Sequence, residues 1–347
     1  MPRAAPVAGW QPDILGPGWV CQYLDLPPIR GERVRAALVT EAHNVTGAGS
    51  GAAQPDTAVL YLHGFNDYFF QTHVARFFAD QGLAFFALDL HGYGRATGKE
   101  STRNDCWSLR EYGPELGAAT RYLLEERGFR RLIIHGHSTG ALIASLWSAS
   151  PMGRATVAGL ILNSPWLELN RPWFDRVVGT AVVNGVGGVV PAQVLGIGPS
   201  PYAYRLHRDN GGAWDFDLNL KRARAYPVRA GWLRAIREAH ARLHDGLGLA
   251  IPIFVASANR TGTAKTPPEL LNYADTVLDV EQIAAKAHRL GDSVELVRIL
   301  GGIHDLALGT PDSRRDYFAA IERWLVAHEF SAHTDRQEMR ENHAISR

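Results

Sequence analysis

The sequence predicts an α/β fold with a mostly parallel central sheet, helices on both faces and one large insertion. Three observations carry this. Short, continuous apolar runs alternate with runs of helical period from Ala58 to Leu162. The same alternation resumes from Ile251 to Val326. Between the two blocks, from Pro165 to Leu249, it stops. Strands without a polar face are those of a sheet covered on both sides, and interleaved helices provide the cover.

The elements follow in order. Val20 to Leu24 and Val34 to Val39 are strand-like and are separated by Pro27, Pro28 and Gly31, which predicts an antiparallel hairpin. Gly47 to Gln54 is a small-residue loop. Ala58 to Leu62 is a buried strand ending at His63-Gly64, and Phe69 to Ala79 places Phe69, Phe70, His73, Phe77 and Phe78 at helical spacing. Leu83 to Leu88 is a second strand, followed by the loop from Asp89 to Gly94. Tyr112 to Glu126 is a helix, Leu132 to Ile134 a strand, Ala141 to Ser148 a helix and Val157 to Leu162 a strand. After the insertion come the strand Ile251 to Ala256, the helix Val280 to Leu290, the strand Val294 to Leu300 and the helix Ser313 to Val326. This divides the chain into a core of residues 1–164 and 250–330, a mainly helical cap over 165–249 and a polar, flexible tail over 331–347. Within the cap, Ala230 to His244 is strongly helical.

Composition narrows the function. Lys plus Arg is 36 and Asp plus Glu is 35, a net charge of +1 that gives no bulk attraction to nucleic acid or anionic lipid. Cys21 and Cys106 are expected as free thiols, with one disulfide between them left open. Met1 to Trp10 has no apolar core of signal-peptide length, so a cytoplasmic protein is expected. Val177 to Tyr204 carries no charge but is interrupted by six glycines and Pro191. It reads as an apolar segment rather than a membrane span, and a membrane-touching surface is the less favoured alternative.

The chemistry centres on Gly136-His137-Ser138-Thr139-Gly140, a Gly-x-Ser-x-Gly pentapeptide between a strand and a helix. That context is the condition for a nucleophile elbow, in which the serine sits on a sharp bend above the sheet. The plainer alternative is a serine that caps an ordinary helix. A serine nucleophile needs a base, and the base needs an orienting acid. In this fold class they follow the serine in the order acid, then histidine. His304, in Gly301-Gly302-Ile303-His304-Asp305 after the last strand, is the best base among 14 histidines. His63, His91, His135 and His137 come too early, His240, His244 and His288 sit in helical runs, and His207 stays open. Candidate acids are Glu269, Asp275, Asp279 and Glu281. Asp279 is at a natural N-cap, so Asp275 ranks ahead of it. Asp305 reads as local loop structure. The oxyanion donors are expected to be the N–H groups of Thr139 and, through the turn at Gly64, of Phe65. No metal or cofactor signature stands out in the sequence, and none is expected.

Taken together, His63-Gly64-Phe65, Asp89-Leu90-His91-Gly92-Tyr93-Gly94, the pentapeptide at Ser138, Asp275 to Asp279 and Gly302-Ile303-His304 resemble the α/β-hydrolase superfamily. Within it, the chain is similar to the monoacylglycerol lipase, lysophospholipase and serine aminopeptidase group over roughly Val34 to Glu329. The resemblance implies Ser138 as nucleophile, Asp275 as acid, His304 as base, Phe65 and Thr139 as the oxyanion hole, and a lid over the site. Two features depart from the group: Thr139-Gly140-Ala141 stands where a glycine pair is usual, and the stretch before Asp275 is longer. The expected activity is ester hydrolysis of a small molecule with an apolar acyl or alcohol part. The alternatives are an aminopeptidase or amidase on the same residues, and a non-catalytic ligand-binding protein.

Overall fold

The computed structural model describes residues 9–46, 55–99, 102–169, 189–198, 201–223, 226–263 and 265–331. The expected loop at 47–54, part of the insertion and the tail beyond 331 lie outside them. The described strands are β1 (Gln11–Pro12), β2 (Trp19–Asp25), β3 (Arg35–Glu41), β4 (Thr57–Leu62), β5 (Ala84–Asp89), β6 (Arg131–His137), β7 (Val157–Asn163), β8 (Val194–Gly198), β9 (Tyr226–Arg229), β10 (Ile253–Ala258) and β11 (Val294–Ile299). The helices are α1 (His43–Thr46), α2 (Thr72–Asp80), α3 (Gly113–Arg121), α4 (Thr139–Ser148), α5 (Pro151–Thr156), α6 (Pro201–Leu206), α7 (Ala230–His244), α8 (Val280–Ala287) and α9 (Pro311–Ala327).

Nine of the described strands form one sheet in the order β1-β2-β3-β5-β4-β6-β7-β10-β11. From β5 to β11 all pairings are parallel, whereas β1, β2 and β3 are antiparallel. Every residue of β4, β5 and β10 is buried. Their continuous apolar runs have the physical cause expected of them, because alternate side chains enter different cores. Ala58, Leu60 and Leu62 face one layer with Leu142, Leu233 and Ile236. Val59 and Tyr61 face the other with Phe78, Ile321 and Trp324.

Some boundaries move, for local reasons. Phe69 and Phe70 precede α2 because their N–H groups donate to side chains, Phe69 to Asp89 and Phe70 to Gln71. The helix expected over 112–126 is three pieces: a 3-10 turn at Leu109–Tyr112 closed by a Ser108/Glu111 capping box, then α3, then a π turn at Tyr122–Glu126. β11 is an edge strand and is largely exposed rather than buried.

β7 and β10 are adjacent in the sheet, and residues 164–252 run between them. Within this insertion, β8 and β9 form an antiparallel two-stranded sheet beside the expected helices. Its longest described helix, α7, buries Trp232, Leu233, Ile236 and Leu243 in the same core as α4. Both cysteines are buried and free. No described helix is long and apolar enough to cross a membrane. The uncharged stretch that begins at Val177 lies largely outside the described residues.

Candidate active site

Ser138 stands where β6 turns into α4, with φ 54° and ψ −116°. A non-glycine residue adopts such angles only when its surroundings impose them. Here they do. A Cβ on Gly136 would lie 2.5 Å from Ala141 Cα, and one on Gly140 would overlap the carbonyls of His63 and Leu62. Backbone therefore packs on backbone at both glycines, and the bend is pinned further by Ser138 N–H donating to Asn163 O (3.0 Å). The serine side chain makes no capping hydrogen bond to α4, so the capping alternative is not what the structure contains.

The Ser138 Oγ lies 3.0 Å from His304 Nε2, and His304 Nδ1 lies 2.9 Å from Asp275 Oδ2. Nδ1–H donating to Asp275 leaves Nε2 free to accept the serine proton, which fixes the tautomer. All three are buried, with Asp275 fully so. The other Asp275 oxygen accepts the N–H groups of Val277 and Leu278, both at 2.8 Å. The long stretch before Asp275 does not displace it. Asp275 N–H donates to Arg260 O (3.0 Å) and Gly262 N–H to Asp275 O (2.6 Å), so the excursion closes at its neck beside the end of β10. Asp279 instead caps α8, accepting from Glu281 N–H at 3.0 Å.

The structure brings the Phe65 loop to the same place. A Cβ on Gly64 would lie 3.1 Å from His137 Cδ2 and 3.3 Å from Ser138 Cβ, so a side chain here would press on both residues of the bend. No hydrogen bond among the described residues takes up the N–H of Phe65 or of Thr139. The Asp89-to-Gly94 loop has a supporting part. Asp89 accepts Phe69 N–H (3.0 Å) with one oxygen and Arg95 with the other, and Arg95 also donates to Phe69 O (3.0 Å). Four of the other histidines are occupied elsewhere. His63 Nε2 accepts Leu90 N–H, His135 meets the Tyr317 hydroxyl, His240 donates to Trp166 O, and His207, left open by sequence, donates to Phe216 O.

Two residues near His304 make contacts that the sequence did not announce. Tyr202 of α6 sets its ring edge-on to His304 at 5.6 Å, and its hydroxyl accepts Asp305 N–H at 2.8 Å. Asp305 does cap the turn after it, through Ala307 N–H, but its carboxylate also accepts from Asn163 (2.8 Å) and Gln71 (3.2 Å). Its partners lie 142 and 234 residues away in the chain, and no local pattern announces them.

A family model described as serine aminopeptidase, S33, matches residues 53–196. No curated protein sequence matches the chain. Solved structures do. A soluble variant of the monoglyceride lipase of Saccharomyces cerevisiae, bound to a substrate analogue, is 15% identical with a TM-score of 0.64 over 94% of this chain and 96% of that one. The monoacylglycerol lipase of Paleococcus ferrophilus is 16% identical, with a TM-score of 0.58 over 80% and 96%. This chain has the α/β-hydrolase fold. Est1E of Butyrivibrio proteoclasticus, with ferulic acid bound, shares this α/β-hydrolase fold at 16% identity and a TM-score of 0.54, over 88% and 98%. Two of these neighbours are monoacylglycerol lipases, and the motifs resemble the group that contains them.

Proposed function

We propose that this α/β-hydrolase cleaves carboxylic esters with an apolar acyl or alcohol part, through an acyl-enzyme on Ser138. The observation that carries the reading is the unbroken run Asp275–His304–Ser138, at 2.9 and 3.0 Å, ending on a serine held in a strained bend. His304 takes the serine proton as Oγ bonds to the ester carbonyl carbon, and Asp275 stabilises the imidazolium. The N–H groups of Phe65 and Thr139 receive the charge that develops on the carbonyl oxygen. His304 then returns the proton to the leaving alcohol. A water activated by the same imidazole releases the acid.

The insertion acts as a cap in this reading, and its aromatic side chains support an apolar substrate. Tyr202 lies against His304, while Trp232 and Tyr226 pack on Phe65 at 4.1 and 5.3 Å. The site is thus walled by rings on the base side and on the oxyanion side. The monoglyceride lipases among its structural relatives agree with an apolar acyl group. The test is turnover of p-nitrophenyl esters graded by acyl length. Ser138→Ala should lower kcat by about 10⁴ or more, and comparable activity in that variant would refute the mechanism. Labelling of Ser138 by a fluorophosphonate separates a reactive serine from an inert ligand-binding site.

A second reading, cleavage of aminoacyl amides, is favoured by the description of the family model. It needs a carboxylate reserved for the substrate ammonium. Asp209 and Asp215 are exposed and lie beside His207 and Arg208, and Asp217 holds Asn219. Asp175 lies outside the described residues. Faster release of arylamide than of phenol would reverse the order.

A further inference from the structure

We propose that Lys221 is a positioning residue for the Ser138 site, its ammonium joining the Phe65 loop and the His304 loop into one buried charge cluster. Lys221 belongs to the insertion, yet its Nζ lies 2.8 Å from Asp67 Oδ2, with side chains 5% and 4% exposed. The rings of Phe70 and Phe216 flank it at 5.1 and 5.4 Å. Lysine is among the residues least often buried, and a buried pair of this kind needs a reason.

Asp67 is two residues beyond Phe65, and its Oδ1 accepts Tyr68 N–H at 2.9 Å. Its neighbour Asn66, at φ 52°, donates to Arg222 O at 2.8 Å. Two successive loop residues are therefore tied to Lys221 and Arg222. On the other side, Asp67, His137 and Asp305 bring two carboxylate oxygens and a ring nitrogen within 4.8 Å of one another. Such a donor set would suit a metal ion. Here the chain's own ammonium supplies the cation at Asp67. Burial pushes the Asp305 carboxyl up, but His137, Lys221 and the hydrogen bonds from Asn163 and Gln71 outweigh it and hold the group below its usual range. Asp305 follows His304 directly, and His137 precedes Ser138. Without the ammonium, two like charges would face each other between the oxyanion loop and the base.

This inference rests on the ester-hydrolase reading, and the experiment keeps the two apart. Wild type, Lys221→Met and Asp67→Asn/Lys221→Met are compared on p-nitrophenyl butyrate, together with their rates of Ser138 labelling by a fluorophosphonate. Labelling needs no ester turnover, so the variant ratio can be read even if wild type turns over no ester, a result that would sink the functional reading alone. Lys221→Met should lose about tenfold in kcat and in labelling rate with KM within about twofold, because removing one partner leaves a buried charge unpaired. The double variant, which is neutral at both positions, should return to within about threefold of wild type. A Lys221→Met enzyme within twofold of wild type in kcat, or a folded double variant still tenfold down, overturns the inference. If Lys221→Met does not fold, the double variant decides on the same thresholds. If neither folds, Lys221→Arg decides: it keeps the charge and should retain at least about a third of the wild-type labelling rate, and a tenfold loss overturns the inference.

Discussion

Asp275 and Asp279 lie four residues apart and meet different partners. Asp275 is fully buried and divides its two oxygens between His304 and two backbone N–H groups. Asp279 caps a helix. Asp275→Asn should therefore lower kcat by about 10⁴ by favouring the wrong imidazole tautomer. Asp279→Ala should leave kcat within about twofold and lower stability by about 1 kcal/mol in urea unfolding. The reverse pattern would exchange their roles. Sequence ranked these two because a cap position is a local signal. Asp305 and Lys221 were not legible in that way, since the partners that give them meaning come from distant segments.

At the scale of elements, the strand–bend–helix at Ser138 was the most legible part of the chain, because its demands are local. Two glycines, an apolar strand and an apolar helix suffice to write it. The closeness of Gly140 to the carbonyls of His63 and Leu62 also predicts its intolerance. Gly140→Ala should cost about 1–3 kcal/mol through a backbone shift, and it should suppress fluorophosphonate labelling at Ser138. Wild-type stability and labelling in that variant would contradict the packing argument. The start of α2 and the separate turn before α3 depart from the expected helices because side chains, not the backbone period, take the N–H groups there. α7 gives a complementary measurement. Trp232 is 2% exposed and packs on Phe65. Trp232→Ala should cost about 3–5 kcal/mol in urea unfolding.

Over the whole molecule, burial sets the response to acid. His135, His137 and His240 are buried, and desolvation pushes them down to about 3, about 4 and about 4. A histidine with a lowered folded pKa binds its proton more readily in the unfolded chain. Its contribution to stability is complete above its usual value near 6.5 and is lost as pH falls towards the folded value. Each such residue removes at most about 1.4 kcal/mol per pH unit in that window. Urea midpoints should thus fall steadily from pH 7 to pH 5, and His240→Gln should flatten the slope by up to one proton. An unchanged midpoint over that range would show that these imidazoles do not resist protonation.

The side-by-side placement of β7 and β10 has a consequence for shortening the chain. Two neighbouring strands that point the same way oblige the chain to travel back along the sheet before the second can start. The 15 residues of α7 reach about 22 Å, enough to match the roughly 20 Å of β10. This helix alone is therefore long enough to span the return, and the topology does not set the length of the residues before it. A trimmed chain that drops 170–229 and bridges directly to α7 keeps a route home. A cut extended to 249 strands β10 on the far side of the barrier. The refolding yields of those two deletions would show which part of the insertion is scaffold and which is ornament.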